Sequence, residues 1–197
     1  MKNVDDIYPL TPMQQGMLFH SLLAPDSGIY VEQVSFTLKG NLNVPALRQA
    51  MKLVLERHPI LRTAFIGEGL KEPVQVVHHQ VQPVWHEEDW SECSGAEQQQ
   101  RLDAYFEQDR TAGFNLAKAP LFRTALFKTG SDEYQFLFTN HHILMDGWSV
   151  PILLGEAFLL YDCCANQQST DLPVPRPFRD YVRWLQKQVA ARAQQYW

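Results

Sequence analysis

A chain of 197 residues in which 45% are hydrophobic can bury a sizeable core, so the sequence predicts a globular protein. A formal net charge of −5, with no Lys/Arg stripe interleaved with aromatics, excludes a phosphate-tracking surface, and nucleic acid is not an expected partner. The acidic start, MKNVDDIYPLTP, does not fit a secretory signal, and no apolar run approaches about 18 residues, so a cytoplasmic protein without a membrane partner is expected.

Thr11-Pro12 reads as an N-cap followed by proline at the first helical position, and Met13, Met17 and Leu18 recur at helical spacing, which predicts a helix over 12–23. After the turn residues Pro25-Asp26-Ser27-Gly28, the alternation Val34-Ser35-Phe36-Thr37-Leu38 predicts a half-buried strand. Asn43 then caps a second helix with the stripe Leu47, Met51, Val54 and Leu55. That helix ends near Arg57-His58-Pro59, because the residue before proline is pushed out of helical geometry. Residues 61–66 read as a strand that contains Arg62, with shorter strands at 74–79 and around Val84-Trp85. A helix is predicted over 96–112, with Leu102, Tyr105 and Phe106 buried. Residues 121–128 and 134–142 flank the turn 129–133 as an antiparallel hairpin. Two final helices, 151–165 and 179 to the end, are separated by QQSTDLPVPRP. This order of elements predicts an α/β (α+β) two-layer sandwich with a largely antiparallel sheet flanked by helices. Cys93, Cys163 and Cys164 have neither the count of a disulfide framework nor the spacing of a zinc knuckle, and read as reduced thiols without a role.

The stretch NHHILMDGWS, residues 140–149, carries the chemistry. A strand has a side-chain period of two, so His142 shares a face with Phe138 and Asn140 while His141 shares the other with Leu137 and Thr139. Side chains that diverge cannot converge at about 2 Å on one ion, so no metal site is expected. His141 reads as a half-buried residue satisfied by backbone partners. His142 sits where a strand opens into a loop, a frequent position for catalytic groups, and neutral imidazole accepts protons near physiological pH. Asp146 has two readings: it orients His142, or it pairs with a buried cation and fixes the loop. Arg62, flanked by core residues, is the expected cation. Ser149 reads as the N-cap of the helix at Pro151.

HHILMDGWS resembles the HHxxxDG signature of the condensation domains of nonribosomal peptide synthetases, within the wider chloramphenicol-acetyltransferase-like superfamily. LTPMQQGMLFHSL is similar to the family's opening motif, ERHPILRTAF to its RHxxLRTxF block, and PFRDYVRWLQKQ to the block after the active-site helix. In family order these blocks run from Tyr8 to about Gln188.

The resemblance implies a chloramphenicol-acetyltransferase-like lobe, with residues 1–197 as the amino-terminal lobe and a carboxy-terminal lobe absent from this chain. It implies amide formation between a donor acyl or peptidyl thioester and an acceptor aminoacyl thioester. Both would be carried on the 4'-phosphopantetheine of upstream and downstream peptidyl carrier proteins, beside an adenylation domain, with no cofactor bound by the domain itself. His142 takes the catalytic position, Gly147 is the candidate oxyanion donor, and His141, Asp146 and Arg62 support the site. Met145, Trp148 and Ser149 are candidates for the substrate tunnel. The isolated lobe is expected to be inactive. The alternatives are a non-catalytic carrier-docking or scaffolding module and a CoA-dependent acyltransferase of the same superfamily.

Overall fold

The computed structural model describes residues 3–196, with side chains described except at 26 and 189–196. Strand β1 (Val4–Pro9) leads into α1 (Pro12–Leu23). The helix starts where the sequence places it because Thr11 and Gln14 cap one another. The Gln14 N–H donates to the Thr11 hydroxyl at 3.2 Å, and the Thr11 N–H donates to the Gln14 side chain at 3.0 Å. Strand β2 (Val31–Lys39) precedes α2 (Val44–Arg57), which Asn43 caps and which buries Leu47, Met51, Val54 and Leu55 as one stripe.

Arg62 is not in a strand. It closes a short 3-10 turn, Pro59–Arg62, because Pro59 fixes its own φ and the Thr63 hydroxyl donates back to the Pro59 carbonyl at 2.9 Å. Strand β3 (Thr63–Ile66) begins only after that turn, followed by β4 (Val74–His78) and β5 (Trp85–Asp89). Helix α3 (Gly95–Ala112) carries the chain across to β6 (Phe122–Lys128), and β6 turns back as β7 (Glu133–His141). Helices α4 (Ser149–Ala165) and α5 (Phe178–Tyr196) complete the chain. Among the described residues no helix is long and apolar enough to cross a membrane.

The strands divide between two sheets. One is three-stranded and antiparallel, in the order β1-β4-β3; the other runs β2-β7-β6-β5. In the larger sheet only β5 pairs in parallel, with β6, as the α3 crossover between them requires. Strand β7 is buried on both faces. Phe136 and Phe138 pack with Phe122, α2 and α4, while Leu137 packs with Ala125, Phe127 and Trp90 beneath Tyr105 and Phe106 of α3. The mixed α/β architecture, its antiparallel majority and its flanking helices are those the sequence implies.

The end of α3 is fastened by a buried ion pair between Asp109 and Arg123 of β6. Asp109 also accepts from Gln33 Nε2 and Thr139 Oγ1, each at 2.7 Å, so one carboxylate touches three neighbouring strands. Arg123 donates to the Gly113 carbonyl at 2.7 Å and lies over the Phe114 ring.

Candidate functional site

His141 is the last residue of β7 and is 3% exposed. Its Nδ1 accepts from the Ile143 N–H at 3.1 Å, so the proton resides on Nε2, which faces Ser21 Oγ at 3.2 Å. Burial, reinforced by His142, pulls the imidazole pKa down to about 4. His141 is therefore a neutral, satisfied side chain whose ring nitrogens are both engaged.

His142 lies one residue beyond the strand. Its backbone N–H donates to the Tyr30 carbonyl at 2.8 Å, and its ring stacks on that of Tyr30, with centroids 6.5 Å apart. Nδ1 is fully buried and lies 2.8 Å from Glu32 Oε1, within ion-pair range but without the alignment of a directed hydrogen bond. The side chain is nonetheless 29% exposed.

The adjacent histidines open on different cavities. His142 lines a largely apolar cleft of about 690 Å³ with Met17, His58, Met145, Ser149 and Tyr181. His141 lines another, of about 770 Å³, with Ser21, Phe65 and Phe114. Side chains that face different cavities do not act on one reacting group. His58 is held in the first cleft by Glu156, Nε2 to Oε2 at 2.7 Å, and Glu156 also accepts from Arg57 Nε at 3.0 Å. The loop after His142 is pinned by Gln14, which donates to the Ile143 carbonyl at 3.2 Å and accepts from Gln75 at 2.8 Å.

Asp146 and Arg62 do not pair. Asp146 accepts from the Ser149 N–H and hydroxyl, which hold its carboxyl below the usual carboxylate range. Ser149 is not the N-cap of α4 but its first residue; the cap position falls on Trp148, and Asp146 holds Ser149 from just before the helix. Arg62 instead donates to the carbonyls of His78 and His79 and lies 3.5 Å from Asp5 Oδ2, so it ties the 3-10 turn to β4 and β1. The carbonyls were available because strand β4 ends there, a partner that the sequence pattern around Arg62 does not reveal.

Met145 and Ser149 line the His142 cleft, whereas Trp148 is not among its lining residues and is 83% exposed. Gly147 lies on a separate groove with Glu32, Val34 and Pro151. A Cβ at Gly147 would meet nothing within 4 Å, and its φ is not positive, so nothing in the surrounding chain demands glycine there.

Glu32, Tyr30 and Gln14 are site residues that local sequence reasoning passes over. Tyr30 has a φ of 66°, unusual for an aromatic residue, and this geometry sets its ring against both histidines. Glu32 lies on β2 directly across from Asn140, a relationship that exists only once β2 and β7 are paired. The one local signal was Gln14, three residues after Thr11 in a capping-box pattern.

The family model for the condensation domain matches residues 4–197. The chain is 39% identical over 197 residues to tyrocidine synthase 2 of Brevibacillus parabrevis, covering 100% of this chain and 6% of that protein. It is 38% identical over 194 residues to surfactin synthase subunit 3 of Bacillus subtilis (strain 168), covering 98% of this chain and 15% of that protein. Among solved structures it resembles the starter condensation domain of rhizomide synthetase RzmA, with a TM-score of 0.86 at 22% identity over 98% of this chain and 49% of that one. It also resembles the first condensation domain of the calcium-dependent antibiotic synthetase in complex with a substrate analogue, with a TM-score of 0.82 at 19% identity over 98% of this chain and 48% of that one. The chain thus spans a small part of the synthases and about half of each solved domain. A family match over nearly the whole length places this chain in the condensation-domain family.

Proposed function

We propose that this chain works as the amino-terminal lobe of an amide-forming acyltransferase, with His142 handling the proton of an acceptor amine as it attacks a donor thioester. The observation that carries this reading is the placement of His142, whose Nδ1 is buried and which lines a largely apolar cleft while its side chain stays 29% exposed. The C–N bond forms as the C–S bond breaks. The ammonium proton passes to His142 Nε2 and from there to the departing thiolate, so acid and base balance over one turnover. General-base assistance of this kind is worth about 10²–10⁴ in rate. Positioning of the amine contributes beside it, because an α-amine with a reference pKa of about 7.7–8.0 is already partly neutral near pH 7.

In this scheme the reacting carbonyl lies between the His142 cleft and the neighbouring groove of Gly147, whose main-chain N–H serves as oxyanion donor. Nothing in the surrounding chain requires a glycine there, and its missing side chain leaves the main chain open to approach. Donor and acceptor arrive on the phosphopantetheine arms of upstream and downstream peptidyl carrier proteins, with an adenylation domain adjacent and no cofactor bound by the domain itself. The chain spans about half of each solved domain it resembles, and in this scheme the other half completes the open cleft, without which no turnover is expected.

The test is dipeptide formation from loaded carriers by the complete domain and its His142→Ala variant. Loss of condensation with an unchanged fold is expected. Wild-type turnover by the variant would remove His142 from the chemistry, and carrier binding without turnover by the wild-type domain would favour a docking module instead. Turnover of acyl-CoA with a diffusible amine, and none with loaded carriers, would favour a CoA-dependent acyltransferase.

A further inference from the structure

We propose that Glu32 is the positioning residue of His142, a role that rests on the catalytic reading of His142 above. The His142 N–H bond to the Tyr30 carbonyl continues the pairing one residue past β7, so the period of two puts Asn140 and His142 on the same side, and the β2–β7 register sets Glu32 directly opposite Asn140. Glu32 and His142 are therefore diagonal cross-strand neighbours, within reach of a long side chain. The carboxylate divides between them: Oε1 lies 2.8 Å from His142 Nδ1, and Oε2 lies 3.4 Å from Asn140 Nδ2. Asn140 is fully buried, so its amide holds the inner side of the carboxylate in place.

The remaining degrees of freedom of His142 are restricted by β2 as well. Its N–H is bound to the Tyr30 carbonyl, and its ring lies against the Tyr30 ring, two residues before Glu32. A small torsion of either side chain completes the Nδ1–H···Oε1 bond, as catalytic contacts commonly do when substrate binds. A carboxylate at Nδ1 keeps the proton on that nitrogen and leaves the Nε2 lone pair free for the amine. It also stabilises the imidazolium once Nε2 has taken the proton. Asp146, the acid of the motif, is occupied by Ser149 and supplies none of this.

The experiment compares kcat and KM of condensation in the complete domain with loaded carriers, for wild type, Glu32→Gln, Glu32→Asp and His142→Ala. Glu32→Gln nearly preserves shape and removes charge. It is expected to lower kcat roughly 10- to 100-fold, less than the ~10⁴ of a fully buried orienting carboxylate, because water screens a side chain that is 36% exposed. KM should stay within about twofold, since binding equal in ground and transition states is untouched. Glu32→Asp keeps the charge and should restore part of kcat, which a merely structural contact would not do. An unchanged kcat in Glu32→Gln, with His142→Ala inactive, overturns the role of Glu32 and leaves His142 standing. Full turnover by His142→Ala overturns both.

Discussion

Asp146 folds back on Ser149, accepting from its N–H at 2.9 Å and from its hydroxyl at 2.7 Å. The acid of the HHxxxDG motif thus satisfies donors at the start of α4, where the backbone has no intrahelical acceptor. Asp146→Ala is expected to cost about 1 kcal/mol, the usual net worth of a hydrogen bond, and Asp146→Asn to retain most of it. Thermal unfolding of the complete domain checks both. The folded carboxyl titrates below its ordinary range, so its contribution is present at neutral pH and is lost as pH falls through the acidic range. A stability curve in which Asp146→Ala and wild type decline in parallel on acidification would contradict this assignment.

Arg62 and Asp146 share no partner, since Arg62 is engaged by His78, His79 and Asp5. A double-mutant cycle of Arg62→Met and Asp146→Ala should be additive within about 0.5 kcal/mol. A larger coupling in denaturant unfolding would restore the loop-fixing ion pair that the sequence alone suggests. The single Arg62→Met change is expected to loosen β1, which faster hydrogen exchange over residues 4–9 would report.

His141 stays neutral down to about pH 4, whereas an unfolded histidine takes its proton near 6.5. Between these values the unfolded chain binds a proton that the folded one refuses, so stability is intact above the upper value and falls towards the lower. The loss is on the order of 3 kcal/mol in total, at about 1.4 kcal/mol per pH unit at its steepest. Denaturant titrations of wild type and His141→Gln at several pH values should show a shallower decline in the variant. Equal slopes would mean that His141 is not the buried neutral group described.

Asp109 and Arg123 form a charge pair whose removal by halves is costly. Asp109→Ala should destabilise by about 3–5 kcal/mol, because it strands the guanidinium beside Phe114 and frees the polar groups of Gln33 and Thr139. Replacing both partners, as Asp109→Leu with Arg123→Met, should cost less than the two single changes together. Unfolding free energies of the three variants decide it.

How far the sequence carries the fold depends on where each signal lies. Helix α1 is legible to the residue because Thr11, Pro12 and Gln14 act on one another across a single turn. Strand β1 is not, because Asp5, Asp6 and Pro9 interrupt its alternation and its pairing with β4 bulges between Val4 and Asp6. Strand β5 reads short for a related reason: Glu87, Glu88 and Asp89 face solvent at a sheet edge, where polar residues are tolerated. In the site, the divergence of His141 and His142 follows from the strand period alone. Glu32 was illegible because its partner is more than a hundred residues away and is chosen by register rather than by spacing. Arg62 misled for the opposite reason, since a buried cation advertises the need for a partner without naming it.

Strand β2 is an edge strand whose one strand partner among the described residues is β7, over nine pairings. A slip of one residue would set Val31 or Gln33 opposite Asn140 and turn Glu32 to the far side of the sheet. Tyr30, whose carbonyl receives the His142 N–H just past the last ladder pair, would leave that contact in the same slip. On the proposed roles of His142 and Glu32, the alignment of two strands is a condition of proton transfer as much as of folding, and changes along β2 far from His142 would silence the site without touching it.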